Sequence, residues 1–365
     1  MQRLACLIAI LSLSACKPSP PEEAPTGASD QATGKVSSAA AGATVLPSTY
    51  KLSGPYTHAN LSVFLIHKPG VAKDSVDYLT LEEALKAKTL NVTEKSDGAQ
   101  VNRIEVENAG DQPVYLQAGD TVKGGKQDRT IAVDFVLPSK SGKREIDAFC
   151  VEPGRWAQRA SAGGVSTLAA AFEPAEAPVA TKEQKLAVKL EKSQDKVWEE
   201  GRKANAELIA KSAAARVSSA GITGVFDSFV LATEDPAVQK KTSEYTDALG
   251  RIAEGKVDAV GMAFAVYGEP STAEIYSGPG LFKKLWPKLV KGAALEALSK
   301  KSDKPPTKQV TEEDIRMLMA QASDGKTARR ELSPDVAMET VDGTRSATFE
   351  TKVRGEFLHR QVVSK

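Results

Sequence analysis

The chain has 365 residues, of which 41% are apolar and 26% are charged, a composition typical of a globular protein. Its 48 lysines and arginines nearly balance its 47 aspartates and glutamates, and the resulting net charge of +1 excludes a bulk electrostatic attraction to nucleic acid or to an anionic membrane surface. We therefore expect no nucleic-acid partner, although a local basic site is compatible with these numbers.

Residues 1–15 have the features of an export signal. Arg3 supplies a positive charge, residues 4–13 form an apolar run, and small residues precede Cys16. The run is much shorter than the roughly 20 residues that span a bilayer. The tetrad LSAC at 13–16 resembles the lipobox of bacterial lipoproteins, in which cleavage before the cysteine is coupled to acylation of its sulfur. The alternative is an ordinary secretory signal with a chance cysteine.

We predict that Cys16 carries the lipid anchor, so that the lipid bilayer is one partner of the mature protein. The next residue is Lys17 and not the aspartate that resembles an inner-membrane retention signal, and we expect attachment to the outer membrane, facing the periplasm. Residues 16–47 are rich in Pro, Ser, Ala and Gly and almost lack large apolar side chains. Because such a segment buries too little surface to offset its ordering entropy, we interpret it as a disordered tether.

Residues 48–365 are long enough for one large or two ordinary domains. The apolar run 61–67 and the alternating run 101–107 are typical of strands. Between them, Thr80 stands three residues before Glu83, which is the capping-box spacing that begins a helix. Further strands are predicted at 114–117, 130–137 and 145–151, so the portion 48–160 is expected to be mostly sheet.

The chain from 182 to 325 has helical patterns. After an Ala/Gly/Ser-rich loop at 161–180, the predicted elements are a helix over 182–217 interrupted near Gly201, a helix from Asp235-Pro236 to about 254, a strand at 258–267 covered on both faces, a helix at 281–298 and a short helix capped by Thr311. C-terminal strands are predicted within 336–363, either as a separate sheet or as part of the main one. The fold class is α+β, with a β-rich N-terminal half followed by helices and further strands.

Cysteine and histidine usage limits the chemistry of the domain. Cys150 is the one cysteine left after the signal and the anchor, so a disulfide within one mature chain is excluded, and burial is the favoured role of this thiol. His58, His67 and His359 are scattered without metal-ligand spacing, and we interpret them as packing or surface residues. The sequence predicts no metal site and no cofactor.

Residues 118–129, AGDTVKGGKQDR, form the first chemically distinctive segment. Consecutive glycines can present backbone N–H groups to an anion, and Lys126 and Arg129 would add positive charge. The spacing of a phosphate-binding P-loop is absent. The alternative is a tight turn in which Gln127, Asp128 and Arg129 bond to the adjacent strands.

The second segment, FCVEPGRW at 149–156, ends a predicted strand. Alternation places Cys150 and Glu152 on one face. A carboxylate raises the pKa of a neighbouring thiol unless a cation such as Arg129 or Arg155 neutralises it, so catalysis by the cysteine is the weaker option. A pair of Glu152 with an arginine, covered by Trp156, is an ordinary structural device and is also a way to bind an anionic or planar ligand.

These motifs carry a family resemblance. The segments GGKQDR, CVEPGRW and GKVDAVGMAFAVYG, followed by FKKLWPKLVKGAALEAL, resemble the bacterial domain family named for its association with ARG and rhodanese-phosphatase superfamily proteins. The resemblance spans most of 61–298 and implies a domain, but no reaction. The positions that match the family's motifs are Gly125, Lys126, Gln127, Arg129, Cys150, Glu152, Gly154, Arg155 and Trp156.

Three functions remain open. In the first, the domain is a binding or scaffold module with a cleft for a small anionic or peptide-like ligand, or with an envelope protein as partner. The candidate ligand-binding residues are Lys126, Gln127, Asp128, Arg129, Glu152, Arg155 and Trp156. In the second, the same cleft is that of an envelope hydrolase or transferase, with Glu152 as general acid or base and Cys150 as nucleophile. In the third, the domain is a purely structural interaction protein, and both motifs only hold the sheet together.

Overall fold

A computed structural model describes residues 48–94, 102–125, 127–153, 172–174, 180–212, 229–300, 302 and 308–365. All of them belong to one unit, Val36–Lys365. The predicted signal, anchor and tether at 1–47 lie outside the described residues. So do Lys126, Gly154, Arg155, Trp156 and most of the predicted loop at 161–180. The α+β fold class is confirmed.

The largest element of the fold is an eight-stranded sheet in which all neighbours are antiparallel. Its strands, in spatial order, are β1 (Lys51–His58), β2 (Leu61–His67), β12 (Ala259–Val266), β13 (Glu269–Tyr276), β17 (Glu356–Ser364), β16 (Ser346–Val353), β15 (Val336–Asp342) and β14 (Lys326–Ser333). The C-terminal strands therefore complete the main sheet, and β14 is a strand that the sequence pattern did not predict.

Two smaller sheets are formed by strands of the N-terminal half of the chain. One contains, in spatial order, β11 (Glu173–Pro174), β7 (Thr121–Lys123), β8 (Arg129–Ile131), β10 (Gly142–Cys150), β5 (Arg103–Asn108) and β4 (Leu90–Thr93). The other contains β3 (Leu79–Thr80), β6 (Val114–Leu116) and β9 (Phe135–Leu137). Alternating burial along β5 and β4 buries Ile104, Val106, Leu90 and Val92 in one core with Leu81 of the first helix.

The helices are α1 (Leu81–Lys86), α2 (Lys182–Leu186), α3 (Gln194–Ser212), α4 (Phe229–Glu234), α5 (Pro236–Leu249), α6 (Pro279–Ser299) and α7 (Glu312–Ala320). The capping box predicted at Thr80 is present, and Thr311, predicted to cap α7, also forms one. Each threonine accepts a hydrogen bond from the backbone N–H three residues later. Asp235 likewise caps α5 through the N–H of Ala237. The three predicted caps are therefore confirmed. Caps can be predicted from sequence because they depend on contacts within one turn.

Strand β12 is buried along its whole length, as its continuous apolar pattern predicts. Met262 faces a core that includes Leu285 of α6, and Ala263 faces a second core that includes Ile315 of α7. Helices therefore cover both faces at this point of the sheet, which is the position expected of a strand without polar side chains.

The predicted interruption of the long helix near Gly201 is wrong. The break lies at Lys192, which is left-handed (φ 51°) and follows a π-helical turn, Ala187–Glu191, while α3 continues through Gly201. A Cβ on Gly201 would lie 2.8 Å from Nε2 of Gln184. The glycine therefore allows α2 to approach α3 closely and does not interrupt the helix.

The predicted single strand at 130–137 is also wrong, because the chain leaves one sheet and enters another within it. Strand β8 ends at Ile131 and β9 begins at Phe135. Asp134 lies in the connection, is buried, and accepts a hydrogen bond from the N–H of Ala118 (2.8 Å). The break in the strand thus places a carboxylate between the sheets.

Candidate functional site

The two motifs singled out from the sequence meet at the paired ends of β8 and β10. Arg129 stands opposite Cys150 in the strand register, and its Nη1 donates to Cys150 Sγ. The backbone N–H of Asp128 donates to Glu152 Oε2 (3.0 Å), and the N–H of Val151 donates to the carbonyl of Asp128 (3.0 Å). We call the described residues that meet here, Asp128, Arg129, Cys150 and Glu152, together with Glu94, the Arg129 cluster.

Glu94 is the member of this cluster that sequence analysis missed. Arg129 is fully buried, and its Nη2 lies 3.1 and 2.9 Å from the two carboxylate oxygens of Glu94. The Glu94 side chain keeps 17% of its surface exposed, so it lies between the guanidinium and solvent. Glu94 follows β4, far from both motifs in the chain, and no local spacing could have identified it.

The glycines before Gln127 allow close packing around this ion pair. Gly125 has a left-handed backbone (φ 52°), and a Cβ there would lie 2.5 Å from the ring of Phe172 and 2.7 Å from Glu94 Oε1. The N–H of Gly124 donates to Asp128 Oδ1 (3.1 Å). In the glycine segment that the sequence predicted to bind an anion, one N–H thus donates to a carboxylate of the same chain. The neighbouring Gln127 is buried.

Cys150 is buried and its backbone is held from the other side by α3. The Gln194 side chain accepts from the N–H of Cys150 (2.9 Å) and donates to its carbonyl (2.7 Å). Glu152 is also buried. The Arg129 guanidinium thus contacts a thiol and a carboxylate, and a positive group in this position can hold an anionic group of a ligand.

Two of the recesses on the surface of the described residues differ in how they relate to the Arg129 cluster. The smaller, about 230 Å³, is lined by Phe172, which lies against Gly125, and by Thr93, which precedes Glu94, but by no member of the Arg129 cluster itself. The rest of its lining comes from β4, β5 and Lys143. The larger, about 370 Å³, lies between α2, α3 and the end of α6 and contains none of the residues predicted from sequence.

A second polar cluster lies inside the molecule, against β13 and β17. His359 is fully buried, with Nδ1 2.6 Å from Asp134 Oδ2 and Nε2 2.7 Å from Glu274 Oε2. Burial alone would lower the pKa of His359, but the charges and hydrogen bonds of both carboxylates outweigh it and raise the pKa to about 9. The ring is therefore an imidazolium at neutral pH and donates from both nitrogens.

Helix α2 and the π-helical turn supply the remaining charges of this cluster. Lys185 Nζ lies 3.3 Å from Glu274 Oε1, and Lys189 Nζ donates to the amide oxygen of Gln361 (2.7 Å). Burial lowers the pKa of Lys189 to about 8. These groups, Asp134, Glu274, His359, Lys185, Lys189 and Gln361, are called the His359 cluster below.

A third buried pair lies nearby, between the first chemical motif and α6. Lys288 Nζ lies 2.6 Å from Asp120 Oδ1 and 3.1 Å from Glu82 Oε1. Burial, opposed by Lys288 and assisted by the charge of Glu82, raises the pKa of Asp120 to about 7. Asp120 Oδ2 also accepts from the N–H of Gln117 (3.1 Å).

Tyr115, Gln117 and Tyr276 lie beside these charged groups and are no more than 1% exposed. The two tyrosine hydroxyls and both polar atoms of the Gln117 amide have no hydrogen-bond partner in the described part of the chain. A buried polar atom without a partner costs about 1–3 kcal/mol, so four such atoms are a considerable destabilisation. Sequence analysis missed all three residues.

Within 48–365 as described, no group of three or more His, Cys, Asp or Glu side chains is arranged to hold a metal ion. In the His359 cluster, each ring nitrogen of His359 contacts a carboxylate. The charged groups of this cluster therefore pair with one another. None of the helices that the structure describes has the length and apolar character to cross a membrane.

A family model described as "ARG and Rhodanese-Phosphatase-superfamily-associated Protein domain" matches residues 49–363. The match extends beyond the 61–298 span that the motifs cover and includes the C-terminal strands. No curated protein and no solved structure matches the chain. The matched span includes the Arg129 cluster and the His359 cluster alike.

Proposed function

The chain belongs to the ARG and Rhodanese-Phosphatase-superfamily-associated Protein domain family, and on that premise we propose that it is an envelope lipoprotein whose domain binds a small anionic or peptide-like ligand at the Arg129 cluster. Acylated Cys16 anchors the mature chain to the outer membrane, and residues 16–47 hold the domain away from the bilayer on its periplasmic side. The domain presents its bound ligand, or its surface, to another envelope protein.

The meeting of both sequence motifs around one buried guanidinium is the observation that supports the binding site. A buried arginine needs a carboxylate or phosphate partner, and bidentate contact with such a group is stronger than a neutral hydrogen bond. Glu94 supplies that partner and is the more exposed member of the pair. An anionic group of a ligand that enters beside Phe172 exchanges with Glu94 on Arg129.

The test is thermal unfolding of the 48–365 fragment against a library of periplasmic metabolites and cell-wall fragments. A ligand at about 100 times its dissociation constant adds roughly 2.7 kcal/mol to the free energy of unfolding. We expect Glu94→Gln to bind an anionic hit more tightly, because the competing carboxylate is gone, and Arg129→Ala to lose it. Arg103→Gln is the matched control, since Arg103 pairs with Glu145 on the exposed face of the same sheet (3.1 Å).

A hit that binds Glu94→Gln and wild type equally would contradict exchange at Arg129. If no library member stabilises the fragment and Arg129→Ala is badly destabilised, both motifs are structural, which is the third function left open by the sequence.

The contact between Arg129 Nη1 and Cys150 Sγ favours a second candidate, a thiol-dependent hydrolase or transferase in which Glu152 is the general acid or base. Alkylation by iodoacetamide measures whether the Cys150 thiol is both ionised and accessible to a reagent, because Cys150 is the only cysteine in 48–365. Catalysis requires alkylation at pH 7 faster than that of free cysteine, and a further loss of turnover in Glu152→Gln. A rate no higher than that of free cysteine would eliminate this candidate.

The anchor is tested separately in cells. We expect incorporation of an alkyne fatty acid into the wild-type chain, none into Cys16→Ala, and co-fractionation of the wild type with the outer membrane. Labelling of Cys16→Ala equal to wild type would refute acylation at this residue, and fractionation with the inner membrane would refute the outer-membrane assignment.

A further inference from the structure

Three buried polar side chains, Tyr115, Gln117 and Tyr276, point to a binding site that is separate from the Arg129 cluster. Together they present two hydroxyl groups and a complete amide that make no hydrogen bond within the described residues. Proteins rarely retain such groups in their interior, and those that they retain are satisfied by water or by a ligand.

These side chains share one location. The Tyr276 ring stacks on the His359 imidazole at 4.6 Å between ring centroids, and the Tyr115 ring meets the same imidazole edge-on at 6.3 Å. Burial, and then the charges of Glu274 and Asp134, raise the pKa of Tyr276 well above its ordinary value, and the neighbouring Gln117 amide opposes this shift. Burial and then the charge of Asp134 raise the pKa of Tyr115, which keeps its hydroxyl neutral.

The neighbouring charges are already balanced. Asp134 and Glu274 face His359, Lys185 and Lys189, whereas Asp120 and Glu82 face Lys288, so four carboxylates stand beside four cations. A charged guest would therefore be buried without a counter-charge, which is far more costly than burying a neutral polar one.

We propose that Tyr115, Gln117 and Tyr276 line an enclosed site for a small uncharged guest that carries both hydrogen-bond donors and acceptors. The Gln117 amide offers two donors and an acceptor, and each tyrosine hydroxyl serves as either. A polyol or an amide-type solute has this chemistry, and ordered water molecules share it. Either guest joins the Asp120–Lys288 pair to the His359 cluster in one hydrogen-bonded core.

Single-atom deletions test the proposal. Tyr115→Phe and Tyr276→Phe in the full chain, purified in detergent, remove only the hydroxyl oxygens. Tyr245→Phe is the matched control, because Tyr245 Oη donates to Asn60 Oδ1 (2.8 Å) and the loss of this known buried bond calibrates the effect. We expect both test variants to lower Tm by at least as much as Tyr245→Phe, about 2–4 °C. An unchanged or higher Tm in both, with a lowered Tm in Tyr245→Phe, would overturn the site, since hydroxyls without partners cost nothing to remove.

Native mass spectrometry of the full chain, compared with the mass after denaturation, then distinguishes an organic guest from ordered water. A released neutral molecule that is missing from Tyr276→Phe identifies an organic guest. Lowered Tm values without a released mass assign water to the site, and a crystal structure then shows oxygen peaks within hydrogen-bonding distance of all three side chains. Such a crystal structure with no density within hydrogen-bonding distance of any of the three would overturn the proposal.

Discussion

His359 offers the sharpest test of the buried architecture. Replacing it with glutamine removes the imidazolium that joins Asp134 to Glu274 and leaves two carboxylates in the interior with Lys185 as the remaining direct cation. Breaking a buried ion pair by removing one partner costs about 3–5 kcal/mol. That loss is a large fraction of the 5–15 kcal/mol that typically separates folded from unfolded protein, and urea unfolding at pH 7 measures it.

The pKa of His359 also predicts whether the free energy of unfolding rises or falls with pH. The pKa of His359 rises from 6.5 to about 9 on folding, which corresponds to about 3 kcal/mol of stability. Because the folded pKa is the higher one, this stability is complete below pH 6.5 and is lost as the pH rises through 9. We expect the wild type to lose about 1 kcal/mol between pH 7 and pH 8 through this group.

Asp120 and Lys189 also titrate near pH 7–8, and comparison of the wild type with His359→Gln accounts for their contributions. The pKa of Asp120 rises to about 7, so its contribution also falls as the pH rises, mostly below pH 7. The pKa of Lys189 falls to about 8, so its contribution grows with pH between 8 and its ordinary value of 10.5. Both remain in His359→Gln, so the difference between the two urea midpoints over pH 7–8 reports on His359 together with the two carboxylates that it neutralises.

His67→Gln is the matched control for this experiment. His67 pairs with Asp258 at 2.8 Å, but the Asp258 side chain is 38% exposed, and we expect a change of no more than about 1 kcal/mol. The reasoning is refuted if His359→Gln costs no more than His67→Gln, or if wild type and His359→Gln show the same slope between pH 7 and pH 8.

Three further variants test individual contacts by urea unfolding. Gly125→Ala should destabilise the fold by more than 1 kcal/mol, because its Cβ would meet Phe172 and its backbone is left-handed; an unchanged midpoint would contradict this packing. Asp235→Ala should cost about 1 kcal/mol through the loss of the α5 cap, and Asp235→Ser should restore most of it. Thr351→Val removes a hydroxyl that donates to Asp134 (2.8 Å) and should cost about 1.5–3 kcal/mol, whereas Thr351→Ser, which keeps the donor, should cost less.

Local features of the fold were predictable because their physics is local. The caps at Thr80, Asp235 and Thr311 satisfy backbone N–H groups within one turn, so three or four residues of sequence are enough to identify them. The burial of β12 follows from its continuous apolar run. Gly201 misled the prediction because a glycine in a helix is also compatible with close packing of a second helix, and the sequence pattern is the same in both cases.

The sequence pattern could not predict contacts between segments that are distant in the chain. The ion pair of Arg129 with Glu94 and the imidazolium bridge of His359 each join residues that are distant in the chain. The whole set of sheet and helix contacts decides which of these segments meet. Alternation in β17 does predict that His359 shares a face with Gln361, but it cannot show that Glu274 of β13 faces them.

The sequence by itself determined the α+β class, the family, the helix caps, the buried central strand and the two polar motifs, because these depend on composition and on spacing within a few residues. It also carries the predicted anchor at Cys16. Only the tertiary structure decided that the two motifs surround one guanidinium and that β1 and β2 share a sheet with the C-terminal strands. It alone revealed the polar core around His359. Such contacts depend on which chain segments pack together, and side-chain identity at one position does not encode the segment that will lie opposite.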